Sequence, residues 1–277
     1  MSYKTILVHL NRAARCRAVL EPTLDLARKH SSHVIGLYVR PRLQAAVAVD
    51  SLGNAVVLED EIAAARDNEQ ELAAAFADLT TKQPFAASWR AIDAQTLDLG
   101  RSMLEHGFAA DLIVASQNDP DWNLSSQLDF PERLILESGR PVLTIPYVGA
   151  YPEVGKTVVV AWKPGREAAR AVFNALPILK AATVVYILQI STGRDHTIRR
   201  DDNLTAALAL HGVKAELHSS YAADQSVGNE ILSRLADFSA DLLVMGAYGH
   251  TRLREYVFGG TTRDIVKQMT VPTLFSH

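Results

Sequence analysis

One cysteine, Cys16, occurs in 277 residues. No disulfide can form within such a chain, and a reducing, cytoplasmic home is expected. No stretch approaches the about 20 consecutive apolar residues that cross a bilayer. The opening MSYKTILVHLNRAARCR has a short apolar run but not the layout of a signal peptide, so no membrane association is expected. Long basic blocks are missing too. With 28 basic against 31 acidic residues the formal net charge is -3, which argues against a nucleic-acid partner. There is no Gly-x-Ser-x-Gly elbow and no cysteine nucleophile motif. The nine histidines are scattered, with no tight His/Cys pairing, so no metal site is expected. What the chain does have is 48% hydrophobic and 21% charged residues, the balance of a globular protein. Its length suits one large domain or two of ordinary size.

The sequence repeats itself. Lys4-Thr5-Ile6-Leu7-Val8 matches Lys156-Thr157-Val158-Val159-Val160, and Ala110-Asp111-Leu112-Ile113-Val114 matches Ala240-Asp241-Leu242-Leu243-Val244. Arg140-Pro141-Val142-Leu143-Thr144-Ile145 then matches Val271-Pro272-Thr273-Leu274-Phe275. Three landmarks in one order indicate two copies of one domain. The join falls in the Gly/Pro-punctuated stretch from Tyr147 to Gly155, giving domains at 1–148 and 155–277. The first copy is longer, and its extra length lies around Pro41 to Asp60, where a mobile loop is expected.

Each copy alternates strand-like and helix-like segments. ILVHL, HVIGLYV, ASWRAI, DLIVAS and PVLTIPY read as strands of the first copy. TVVVAW, TVVYILQI, KAELHSSY, DLLVMGA and PTLFSH read as those of the second. Several are continuously apolar, as strands buried on both faces must be. Helical patterns such as NEQELAAAFADLTTK and VGNEILSRLADFSA lie between them. The expected fold is α/β, two tandem Rossmann-like domains with parallel sheets and right-handed crossovers. In such folds ligands sit beyond the carboxyl ends of the strands, where strand order reverses.

The stretch MGAYGHTRLREYVFGGTT, residues 245–262, falls at such an end. Gly246 and Gly249 follow the fourth strand of the second copy and let a flat ring or a ribose pack close. Gly259 and Gly260 let an anion approach the backbone without a Cβ in the way. Thr261 and Thr262 open the helix TTRDIVKQM and are candidate caps. Its free N–H groups and dipole favour an anion there. The first copy offers SQNDPDWNLSSQLDFPERL instead, with no glycine and with Asp119, Asp121 and Asp129. Asn11 occupies its first-loop position. No nucleotide is expected to bind that copy in this way.

The spacing Gly246-x2-Gly249-x9-Gly259 resembles the nucleotide-binding signature of the universal stress protein family, and VPTLFSH is similar to the family's closing strand. The duplicated strand order extends the resemblance to both copies. The resemblance implies a five-stranded parallel sheet in each domain, of the adenine nucleotide alpha hydrolase-like type. It further implies ATP or another adenine nucleotide, with or without magnesium, in the second copy. By resemblance Met245, Gly246 and Gly249 contact ribose and phosphate. Gly259, Gly260, Thr261 and Thr262 hold phosphates. Ala161, Lys163 and Ile190 border the adenine. Two positions depart from the pattern. Gly260 stands where the family has Ser or Thr, and Lys163 where it often has an acid or Asn. The natural ligand is therefore open. The copies are expected to pack as a pseudo-dimer within one chain, with further homodimerisation open and protein partners unknown. The implied role is a regulatory one in stress response. A slow ATPase or hydrolase of a nucleotide-linked substrate, and a nucleotide-free binding scaffold, are the alternatives.

Other signals carry less. Ala150-x4-Gly155-Lys156-Thr157 fits a relaxed P-loop, but a strand rather than a helix follows it. Arg252, Arg254 and Arg263 flank the cradle and could reach phosphate, but solvated positions are expected for the first two. Asp224 reads as a helix cap more readily than as a ribose ligand. His250 lies inside the motif loop.

Overall fold

The computed structural model describes residues 2–40, 48–49, 55–56, 59–94, 98–122, 128–192, 202–222, 226–249 and 260–277. The first half runs β1 (Thr5–His9), α1 (Ala13–His30), β2 (His33–Arg40), a short β3–β4 hairpin (Ala48–Val49 and Ala55–Val56) and α2 (Glu59–Thr80). It continues with β5 (Ala87–Asp93), α3 (Leu99–Gly107), β6 (Leu112–Ser116), α4 (Pro131–Glu137) and β7 (Val142–Ile145). The second half runs β8 (Thr157–Ala161), α5 (Arg166–Leu179), β9 (Val184–Thr192), α6 (Asp202–Leu210) and β10 (Ala215–Ala222). It ends with α7 (Val227–Asp237), β11 (Leu242–Gly246), α8 (Gly260–Gln268) and β12 (Thr273–Ser276). Among the described residues no helix is long and apolar enough to cross a membrane.

All ten long strands form one sheet in the order β10-β9-β8-β11-β12-β7-β6-β1-β2-β5. Every neighbouring pair is parallel except β12 with β7, which is antiparallel through Thr273–Thr144, Leu274–Leu143 and Phe275–Val142. Each half is thus a five-stranded parallel sheet of the same order. The two halves meet through their last strands across an approximate twofold.

The continuous apolar runs explain this layering. Along β1, Ile6 and Val8 join the core under α1, α2, α5 and α6, while Leu7 joins the opposite core under α3, α4, α7 and α8. A strand buried on both faces needs apolar residues on both. The recurring Ala-Asp before the fourth strand has a shared purpose. Asp111 accepts from the backbone N–H groups of Lys4 and Thr5 at 2.7 and 3.0 Å. Asp241 accepts from those of Gly155, Lys156 and Thr157 at 3.0, 2.9 and 3.2 Å. Each carboxylate clasps backbone N–H groups at the start of its central strand. The Gly155-Lys156-Thr157 stretch is therefore a strand entry, not a phosphate loop.

Side chains bridge the halves around the seam. Gln117 donates from Nε2 to the Val266 carbonyl at 2.8 Å and accepts at Oε1 from the Tyr147 N–H at 3.1 Å. The Tyr3 hydroxyl donates to the Asn174 carbonyl at 2.6 Å. Burial pushes the Tyr3 hydroxyl's pKa far up, and the Asp111 charge adds to it. Part of the extra length of the first half is α2, 22 residues against nine in α6. The rest of the segment expected to be a mobile loop lies outside the described residues, apart from the β3–β4 hairpin.

Candidate functional site

In the second half the strand order reverses between β8 and β11. Loops leaving two strands in opposite directions open a crevice there. A cavity of about 970 Å³ fills it, walled by the carboxyl ends of β8, β9 and β11 and the first turns of α5, α7 and α8. Ala161, Lys163, Ile190, Met245, Gly246, Gly249, Gly260, Thr261 and Thr262 all line it. These are the residues read from the sequence, with the exception of Gly259, which lies outside the described residues together with His250, Arg252 and Arg254. Asp224 is outside them as well. Arg263 is exposed and absent from the wall. Lys163 sits exposed on the rim.

Gly246 is required by contact. A Cβ there would meet Ala168 N at 2.4 Å and Glu167 C at 2.6 Å, both backbone atoms that cannot swing away. The 246–249 segment therefore rests directly on the first turn of α5. Gly260 faces open space: a Cβ at this position would have no neighbour within 4 Å. Here the backbone leaves room at the amino end of α8, where the helix dipole is positive.

Thr262 differs from its expected role. Helix α8 begins at Gly260, so Thr261 and Thr262 lie inside its first turn rather than capping it. The buried Thr262 hydroxyl accepts from the Tyr248 N–H at 3.2 Å. It ties the glycine loop to the helix. Tyr248 itself has φ of +57°, a left-handed conformation that costs a bulky residue energy and persists only where its surroundings hold it. The Thr262 bond is one such hold. Burial, and then the Glu132 charge, push the Tyr248 hydroxyl well above the usual tyrosine range.

Two acids in the wall carry no signal in the local sequence. Glu167, in the first turn of α5, is 6% exposed. Asp264, on α8, packs against Gly228 at the start of α7. A helix-opening acid reads from sequence as dipole chemistry alone, and the crossing that brings the 246–249 segment over it is long-range. Among the described residues no cluster of three or more His, Cys, Asp or Glu is placed to hold a metal.

The first half builds its equivalent cleft differently. Counted from the matched strands, His9 stands where the second half has Ala161, and Asn11 where it has Lys163. Ser116 and Asp119 replace Gly246 and Gly249. Counted back from Pro141 and Pro272, Leu128 to Pro131 stand where Gly259 to Thr262 do. These residues contact one another. Asn11 donates from its side-chain amide to the Leu128 carbonyl at 3.0 Å and to the buried Asp129 carboxylate. The His9 ring lies 4.8 Å from that of Phe130. Burial lowers the His9 pKa to about 4, so the imidazole is neutral at physiological pH. Asp119 pairs with Arg12 at 2.7 Å, and that guanidinium lies 5.3 Å from the Trp122 ring centre. Interlocked side chains thus stand at this end of the first half, and two of its acids, Asp119 and Asp129, are matched within the protein.

Residues 155–277 match the sequence profile of the universal stress protein family. A universal stress protein of Synechocystis sp., Slr1230, is 45% identical over 38 residues, 14% of this chain and 13% of that protein's length. The match therefore spans a small part of that relative. In structure, a universal stress protein from Archaeoglobus fulgidus aligns with a TM-score of 0.70 at 16% identity, over 99% of this chain and 96% of its own. A protein of unknown function from Pseudomonas aeruginosa PAO1 aligns with a TM-score of 0.56 at 16% identity, over 99% and 92%. At these identities the structural likeness speaks for the fold, and it runs through both halves. With the glycine spacing at 246–259 and the profile match together, residues 155–277 belong to the universal stress protein family.

Proposed function

We propose that the second half, as a domain of residues 155–277, binds an adenine nucleotide such as ATP and serves a regulatory role in stress response. The first domain, residues 1–148, is its structural partner within the same chain. One observation carries this reading: nine residues from four separate stretches of sequence line a single cleft at the switch point of the sheet. Its size is within the range of small-molecule sites. The residues fit the ligand. Gly246 and Gly249, packed on α5 and Glu167, bring the loop backbone to the wall of the cleft, and Gly260 and Thr261 stand at a positive helix end for phosphate. Ala161, Met245 and Ile190 supply apolar walls for a base. Lys163 on the rim can meet phosphate without being desolvated.

Native mass spectrometry of freshly purified full-length protein, followed by denaturation and identification of the released molecule, tests the reading. One adenine nucleotide per chain is expected. A protein that carries none and shows no heat of binding with ATP, ADP or AMP, with and without magnesium, would leave the nucleotide-free scaffold in its place.

A further inference from the structure

We propose that Glu167 selects the ligand of the second cleft by accepting a hydrogen bond from a sugar hydroxyl, so that a ribonucleotide binds in preference to its deoxy counterpart. This rests on the nucleotide reading above and narrows it to a substrate class.

The geometry is specific. A Cβ on Gly249 would lie 3.1 Å from Glu167 Oε2, and one on Gly165 would lie 3.8 Å from the same oxygen. Oε2 thus sits between two loop glycines, in the wall of the cavity. Oε1 is taken by Arg166 Nε. No other described side chain donates to Oε2. Oε2 therefore offers a negatively charged acceptor to whatever occupies the cleft. The carboxyl is anionic at neutral pH. Burial pushes its pKa up, but the Arg166 hydrogen bond, its own backbone N–H and the nearby positive charges outweigh this and leave it below the ordinary glutamate value.

An acceptor-only anion has a narrow choice of ligand groups. It repels phosphate, which is better placed at the positive amino end of α8, by Gly260 and Thr261. It does not bond an apolar base face. A hydroxyl satisfies it, and the cleft beside it has the volume for a ring that carries one. Acidic residues bond ribose hydroxyls by the same chemistry in dinucleotide-binding sheets. Losing a hydrogen bond to a buried charged group costs roughly 10- to 100-fold in affinity.

The test is calorimetric titration of the full chain with ATP, 2′-deoxy-ATP and 3′-deoxy-ATP. Wild-type protein should bind ATP roughly 10- to 100-fold more tightly than at least one deoxy analogue. Glu167→Gln should bring the three affinities within about threefold of one another, because the amide is a weaker acceptor than the anion. Equal wild-type affinities for all three would overturn the inference while leaving nucleotide binding intact. So would a Glu167→Gln variant that weakens all three equally, since that is the mark of a merely structural residue. If the variant fails to fold, the wild-type ratios decide alone. No binding of any of the three would remove the nucleotide reading itself and the inference with it.

Discussion

At the carboxyl ends of β1 and β8 the two halves part company. In one, a histidine, an asparagine, an aspartate and a phenylalanine close on each other. In the other, an alanine, a lysine and a pair of glycines border about 970 Å³ of space. The scaffolds beneath are alike: the same strand order, the same aspartate clasp, the same two-layer core. The difference teaches that the same scaffold can carry interlocked side chains at one strand end and an open cleft at the matching one. Asp129 has Asn11, Asp119 has Arg12, and His9 has a ring to rest on. Polar groups buried with partners cost the fold little.

The contrast can be broken from either side. The largest effect is expected from Gly246→Val. Its branched side chain would run into backbone atoms of α5, so calorimetry should show at least a 100-fold loss of nucleotide affinity. The matched change Ser116→Val in the first half should leave affinity unaltered in the same titration. If the two variants behave alike, the assignment of the site to one half is wrong.

Acid should act on the filled cleft. His9 has a pKa of about 4 when folded and near 6.5 in an unfolded chain. The unfolded state takes up the proton first, so stability falls as pH drops from about 6.5 to about 4 and is unaffected by this group above that window. By linkage the loss reaches about 3 kcal/mol. Urea unfolding at pH 7, 5.5 and 4 should show a shallower decline for His9→Leu than for wild type. An unchanged decline would mean that other groups set the acid limit.

Opening the latch is expected to be milder. Asn11→Ala takes an amide donor from the buried Asp129 carboxylate and should cost roughly 1–3 kcal/mol. Thermal unfolding would register it, while nucleotide affinity in the second half stays the same. The smallest effect belongs to Lys163→Ala. An exposed rim cation is screened by salt and water, so ATP affinity should change by no more than about threefold, and less at high salt. A larger change would place the lysine directly on a phosphate.

Much of this arrangement is legible in the sequence, for identifiable reasons. Strands such as Ile6–Val8 and Val158–Val160 are apolar at every position because they are covered on both faces. The glycine spacing at 246 and 249 marks a backbone crossing, and the bare Gly246 does lie on α5. Helices α3, α4 and α6 escape a reading of the pattern; each is nine residues or fewer, too short for periodicity to be decisive. Thr262 reads as a cap because its neighbours are helix-opening residues. Its bond to Tyr248, fourteen positions earlier, depends on a tertiary crossing that local pattern does not encode. Glu167 escapes notice for the same reason. In the first half the missing glycines are visible, whereas the pairing of its acids is not.

The antiparallel join of β7 and β12 has a consequence for stoichiometry. Two protomers meeting through such a seam separate on dilution and, being identical, present identical clefts. Here both strands belong to one chain. The partner is present at a fixed effective concentration whatever the protein concentration, and symmetry no longer obliges the two clefts to match. A saturation curve for this protein should therefore be hyperbolic, with a Hill coefficient of one, and independent of how much protein is in the cell.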